Sequence, residues 1–291
     1  MAVPAGNAPP SRWRDRMSSS GIAGSLWEVI GSVFLGMVIF CDIVSNTESG
    51  IPGTLGVALA HGLALAALIF ALGGTNAGHL NMGVTMGFAV GEGGWKQVPA
   101  YIVGQVLGFC IASLLTSKLF SVFTDVQNGY GLAAPVNRET SYWWTFWAEL
   151  VFSIFLVLVI VAAKLTTDMC VDRLGQRAVG TGTAESEAGI RLLVLLSGRL
   201  ATALAGGLAL AASVMAIGQF TGAAVNAGRN IGPNIIAGLY TEDLAFGFVD
   251  LTLIYVLPNL LGGLIAGALW RWVLARQVQR KIDEVIGAFV V

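Results

Sequence analysis

The stretch Ala58–Ala67 reads ALAHGLALAA, and Ala203–Ala212, 145 positions later, reads ALAGGLALAA. At the same offset Asn81 in GHLNMGVTMG falls on Asn226 in AAVNAGRNIG, so an apolar helix is followed twice by an Asn-led, glycine-rich turn. Duplication of this kind inside an apolar chain points to a pore or carrier built where two repeats meet.

The match extends outward from those copies. Glu28 in WEVIGSVFLGMV pairs with Glu149 in AELVFSIFLVLV at an offset of 121, and Tyr101 in YIVGQVLG pairs with Tyr255 in YVLPNLLG at 154. The second copy therefore carries 24 more residues before its middle helix and nine more after its Asn motif, which read as loop insertions.

Of 291 residues, 55% are hydrophobic and 11% charged, and the mean hydropathy is +0.76. Soluble domains carry roughly 25% charged residues, so this composition belongs to an integral membrane protein. Apolar runs at about 25–44, 54–73, 97–120, 142–163, 192–217 and 248–274 are each long enough to cross ~30 Å of hydrocarbon as a helix. They place a tail over 1–24, a membrane domain over 25–275 with repeat 1 at about 25–120 and repeat 2 at about 142–275, and a second tail over 276–291. The connection from Asp168 to Gly189, with Gly180, Gly182, Thr183, Glu185 and Glu187, reads as a mobile loop.

Three spans per copy is an odd number, so the second copy must enter the membrane upside down: an inverted repeat in an all-α membrane protein. The segments GVTMGFAV and GRNIGPNIIAGL after Asn81 and Asn226 are apolar but only about ten residues long, roughly 15 Å as helix. Two such re-entrant half-helices entering from opposite faces make one full span between them. Backbone ends at the bilayer centre are tolerated only where they line a watery cavity or are packed in protein.

An even number of spans puts both termini on one side. Arg12, Arg14, Arg16, Lys96, Lys164, Arg173, Arg177, Arg191, Arg199, Arg271, Arg276, Arg280 and Lys281 share that side, against Lys118 and Arg138 on the other, which makes it cytoplasmic. No nucleophile–base pair, phosphate loop, nucleotide fingerprint or Cys/His metal spacing is present, so neither an enzyme nor a cofactor or metal is expected. Nor is a nucleic-acid partner.

Asn81 and Asn226 each stand where a helix N-cap belongs, the side-chain carbonyl accepting first-turn amides. The carboxamide nitrogens are then free to donate into the lumen, and two half-helix dipoles behind them oppose a cation. Arg229, three residues after Asn226, reads as a fixed positive charge in the pore wall; pairing with Glu242 or Asp243 is the alternative. Glu28 and Glu149 are expected to accept N–H groups from the re-entrant loops and hold them in shape, with His79 as a further hydrogen-bonding support there. His61, which replaces the Gly206 of the other copy, reads as a constriction residue.

These residues resemble the aquaporin (major intrinsic protein) family from Leu26 to Trp270: Glu28 with Phe34, AGHLNMGVT, Tyr101 with Gln105, Glu149 with Phe155, TGAAVNAGRNIGP, and Tyr255 with Pro258 and Gly262. The resemblance implies an aquaporin-like fold of six spans and two half-helices, assembled in the lipid as a homotetramer with one pore per protomer. In that family both half-helices begin Asn-Pro-Ala, whereas here they read Asn81-Met82-Gly83 and Asn226-Ala227-Gly228. Loss of both prolines is expected to leave two extra N–H donors at the pore centre, with Gly83 and Gly228 altering the contact between the half-helices.

The family's selectivity filter carries over to His61, Val214, Ala223 and Arg229. His with an aliphatic partner looks like the plant vacuolar aquaporins, which pass water and often ammonia, urea or hydrogen peroxide. Asn230 stands where glycerol facilitators usually have Asp, which makes glycerol the less favoured solute. The implied function is a passive channel for water and small neutral solutes. An ion-coupled secondary transporter and a non-conducting scaffold are the competing readings.

Overall fold

The computed structural model describes residues 21–49, 53–75, 78–121, 142–181, 184–240, 250 and 252–288. In chain order the helices are α1 (Gly21–Ser49), α2 (Gly53–Leu72), α3 (Met82–Glu92), α4 (Val98–Ser121), α5 (Tyr142–Thr181), α6 (Ala184–Thr221), α7 (Ala227–Tyr240), α8 (Leu257–Leu269) and α9 (Ala275–Ala288). π-helical turns at Thr252–Val256 and Trp270–Leu274 continue into both ends of α8, so α8 and α9 form one rod. Among the described residues, six segments are long and apolar enough to cross a membrane. Leucines such as Leu63, Leu107 and Leu208 are exposed on their outer faces, as a hydrocarbon solvent requires.

The short helices α3 and α7 follow the two Asn turns, and packing interlocks the repeats. Within each copy the first span lies on the third, α1 on α4 and α5 on α8, while α2 meets α6 across the copies. Each half-helix packs chiefly on the other copy's third span, α3 on α8 and α7 on α4. Small residues permit these close crossings. A side chain on Gly232 of α7 would strike the Phe109 backbone at 2.6 Å, and one on Gly267 of α8 would strike the Gly87 carbonyl at 2.5 Å.

The connection read as a loop from Asp168 to Gly189 is helical instead. Helix α5 runs on to Thr181 and α6 begins at Ala184, with 182–183 outside the described residues. The apolar signal ends near residue 163, but a helix leaving the bilayer needs only helix-forming residues and side-chain support. Here Lys164 pairs with Asp168 one turn on, and Arg173 donates to Gln176. The second tail is helical through Ala288, with 289–291 outside the described residues: Arg173 of α5 meets Asp283 of α9 at 2.7 Å, and Ile282 is buried. Of the first tail, 1–20 lie outside the described residues, and α1 begins at Gly21.

Candidate functional site

Each half-helix is entered through a tight turn whose backbone amides point at one buried carboxylate. Glu28, fully buried in α1, accepts from Gly78 N at 2.6 Å and His79 N at 2.8 Å through Oε1, and from Leu80 N at 2.8 Å through Oε2. Its equivalent Glu149 accepts from Ala224 N at 3.0 Å through Oε1 and from Val225 N at 2.7 Å through Oε2, and Thr221 Oγ1 adds a third donor at 2.6 Å. In lipid no water would replace these carboxyl acceptors for the turn amides.

The turns impose left-handed backbone on residues that disfavour it. Leu80 has φ 53° and Val225 φ 36°, at equivalent positions immediately before the two asparagines. That conformation is held by the carboxylates above it and has a visible use, because the Leu80 and Val225 carbonyls become acceptors at the centre of the molecule.

At that centre Asn81 Oδ1 accepts from Gly83 N at 2.8 Å and Val84 N at 3.4 Å, and Asn226 Oδ1 accepts from Gly228 N at 3.0 Å. The carboxamide nitrogens are not both free for the lumen. Asn81 Nδ2 donates to the Val225 carbonyl and Asn226 Nδ2 to the Leu80 carbonyl, each at 2.7 Å. Each asparagine thus caps its own half-helix and ties it to the turn of the other, leaving one N–H per amide. The tertiary approach of the turns, invisible along the chain, supplies those acceptors.

The extra donors expected from the missing prolines are also accounted for in part. At one of the two proline positions, the Ala227 N–H goes to Asn259 Oδ1 at 3.1 Å; the Gly83 N–H, one residue beyond the other proline position, is shared between Asn81 and Asn259. Gly83 and Gly228 do not set the contact between the half-helices. A Cβ on Gly83 would meet Asn259 of α8 at 2.7 Å, and one on Gly228 would meet Phe109 of α4 at 2.9 Å, so both small residues seat their helices on neighbouring spans.

A narrow cavity of about 20 Å³, enough for one or two waters, lies beside this junction. Asn81, Asn226, His61, His79, Ala223 and Arg229 contribute to its wall, together with aliphatic side chains such as Ile39 and Leu210. Val214 is buried in the surrounding apolar core, outside that wall; Met82, Gly83, Ala227 and Gly228 are also buried and form no part of the wall. Arg229 is 3% exposed; one guanidinium nitrogen donates to Asn230 Oδ1 at 3.1 Å and another to the Gly222 carbonyl at 3.4 Å. Its Nε has no protein partner among the described residues. Glu242 and Asp243, the alternative partners, lie outside them.

His79 stacks on Phe88 with ring centroids 4.7 Å apart, meets Tyr101 edge-on at 5.1 Å, and places Nδ1 3.2 Å from Thr85 Oγ1. Gln105 links the same Thr85 to Glu28, with bonds of 3.0 and 2.7 Å. Asn259 was missed by sequence reasoning, yet it left a signal: it is the repeat equivalent of Gln105, at the same offset that relates Tyr101 to Tyr255.

The model of the family described as "Major intrinsic protein" matches residues 18–184. Among curated relatives, the chain is 28% identical over 261 residues to "Aquaporin NIP1-2" of Arabidopsis thaliana, covering 89% of this chain and 76% of the relative. It is 30% identical over 217 residues to "Aquaporin NIP1-2" of Oryza sativa subsp. japonica, covering 74% of this chain and 62% of the relative. The solved aquaglyceroporin from Plasmodium falciparum shares the fold with a TM-score of 0.71 at 19% identity, over 90% of this chain and all of that one. Two interlocked copies, two Asn-capped half-helices and a family match across more than half of the sequence lead to one assignment: the chain belongs to the major intrinsic protein (aquaporin) family.

Proposed function

We propose that the protein is a passive channel conducting water in single file, together with small neutral solutes such as ammonia, urea or hydrogen peroxide, and excluding cations. One observation carries this reading: Asn81 and Asn226, each bonded to the carbonyl just before the other, share the wall of one cavity with His61 and Arg229. Water entering that cavity meets a wall that combines Asn81 and Asn226 with aliphatic side chains such as Ile39 and Leu210. The Arg229 guanidinium and the amino ends of α3 and α7 make the passage positive, which favours a water oxygen and opposes a cation. In this reading His61, Ala223 and Arg229 form the selectivity filter on the cavity wall, with Val214 packed in the core outside that wall, and Glu28, Glu149 and His79 support the turns.

The family resemblance supports a homotetramer in which each protomer has its own pore, and the Lys/Arg asymmetry between the two faces supports cytoplasmic termini. Stopped-flow shrinkage of proteoliposomes holding the purified protein tests the reading. Osmotic water permeability above that of empty vesicles, unaffected by proton or sodium gradients, is the expected result. Gradient-dependent uptake would establish a coupled carrier instead, and permeability equal to empty vesicles would leave a scaffold.

A further inference from the structure

We propose that Asn259 is a positioning residue of the pore centre, a third amide that clasps the amino ends of both half-helices and so sets the spacing of Asn81 and Asn226. The proposal rests on the channel reading for its effect on flux, but the clasp itself is a matter of hydrogen bonds. Asn259 Oδ1 accepts the Gly83 N–H of α3 at 2.9 Å and the Ala227 N–H of α7 at 3.1 Å. Its Nδ2 donates to the Val225 carbonyl at 2.9 Å and to Asn81 Oδ1 at 3.2 Å, with Ser153 Oγ at 3.3 Å as a further acceptor. Backbone N–H groups on one side and a carbonyl on the other dictate which way this amide faces.

Asn259 is fully buried and forms no part of the cavity wall, so it acts on the lumen only through the groups it holds. Its repeat equivalent Gln105 has a different task, donating to Glu28 and Thr85 within its own copy. Gly83 belongs to the same device, because a methyl group there would sit 2.7 Å from Nδ2.

The arrangement gives a use to the backbone N–H that Ala227 retains and a proline would lack. Proline is well tolerated at the first position of a helix, so Ala227→Pro removes a donor at little cost. Asn259→Leu, by contrast, leaves the Ala227 N–H buried without an acceptor. In detergent Asn259→Leu is expected to lower the unfolding midpoint by roughly 2–10 °C. Ala227→Pro in that background should recover part of the loss, although the same change in the wild type gains nothing. Additive effects would overturn the clasp.

The second readout is the ratio of urea to water flux in proteoliposomes, which does not depend on how many channels insert. Asn259→Asp keeps the size and the acceptor oxygens but loses the amide donors to Val225 and Asn81, so the ratio should change even if the Leu variant fails to fold. A merely structural residue would lower both fluxes together, and an unchanged ratio overturns the proposal. If the wild type conducts nothing, the channel reading fails, while the stability cycle still decides the clasp.

Discussion

Gly62 and Gly207 face each other across the α2–α6 contact, each occupying the space where a side chain of the other would stand. A Cβ on Gly62 would lie 2.5 Å from the Gly207 carbonyl oxygen, and one on Gly207 would collide with the Gly62 carbonyl oxygen. These are equivalent positions in the two copies of the decapeptide. A residue that touches its own repeat equivalent lies on the axis relating the copies, so the pseudo-two-fold passes between these glycines.

Because the obstruction is backbone on both sides, neither helix can yield by turning a side chain. Gly62→Ala and Gly207→Ala are each expected to destabilise the protein by about 1–3 kcal/mol, and valine at either position by more. Thermal unfolding of the purified protein in detergent checks this; a midpoint unchanged by Gly62→Val would mean that the helices are not in contact there.

Glu28→Leu strips the acceptor from Gly78, His79 and Leu80 at once. Each orphaned buried N–H costs about 1–3 kcal/mol, so the turn before α3 should open and the folded yield should collapse. Glu28→Gln keeps one acceptor oxygen and should be intermediate. Size-exclusion recovery and water permeability read the order wild type, Gln, Leu.

Arg229→Val removes the guanidinium from the cavity wall and frees the Asn230 and Gly222 acceptors. Urea and glycerol fluxes should rise relative to water, with weaker rejection of cations. A solute profile identical to that of the wild type would remove Arg229 from the filter.

Glu92 closes α3, where burial lifts its carboxyl from the ordinary 4.5 to about 7; Lys164 opposes the rise and Asp168 adds to it. A carboxyl held protonated in the folded state contributes stability in full below pH ~4.5. That contribution is lost as the pH climbs through about 7, since the ionised form is the one disfavoured by burial. The unfolding midpoint should therefore fall between pH 5 and 8 more steeply in the wild type than in Glu92→Gln. Parallel pH profiles for the two proteins would show that Glu92 titrates normally.

Much of the site was legible because the chain states it twice. A single Asn in a glycine-rich turn or a single intramembrane Glu is ambiguous, but Glu28 with Glu149 and Asn81 with Asn226 repeat in register, and the odd number of spans per copy dictates inversion. The helical reach of α5 and α6 was not legible, since apolar runs mark where a helix meets lipid and not where it stops in water. Glycines at 180 and 182 suggested a loop through Gly189, whereas α5 reaches Thr181 and α6 starts at Ala184.

Composition and internal repetition alone determined the membrane class, the six spans, the inversion and the identity of the polar residues that must be satisfied in lipid. Those follow from transfer energies and from periodicity, both local properties of the chain. Only the tertiary structure decided where the hydrogen bonds go: Asn81 to the Val225 carbonyl, Asn226 to that of Leu80, and Asn259 to both half-helices. A donor's partner is set by which turns approach in space, and residues some 145 positions apart become neighbours only when the two copies interlock.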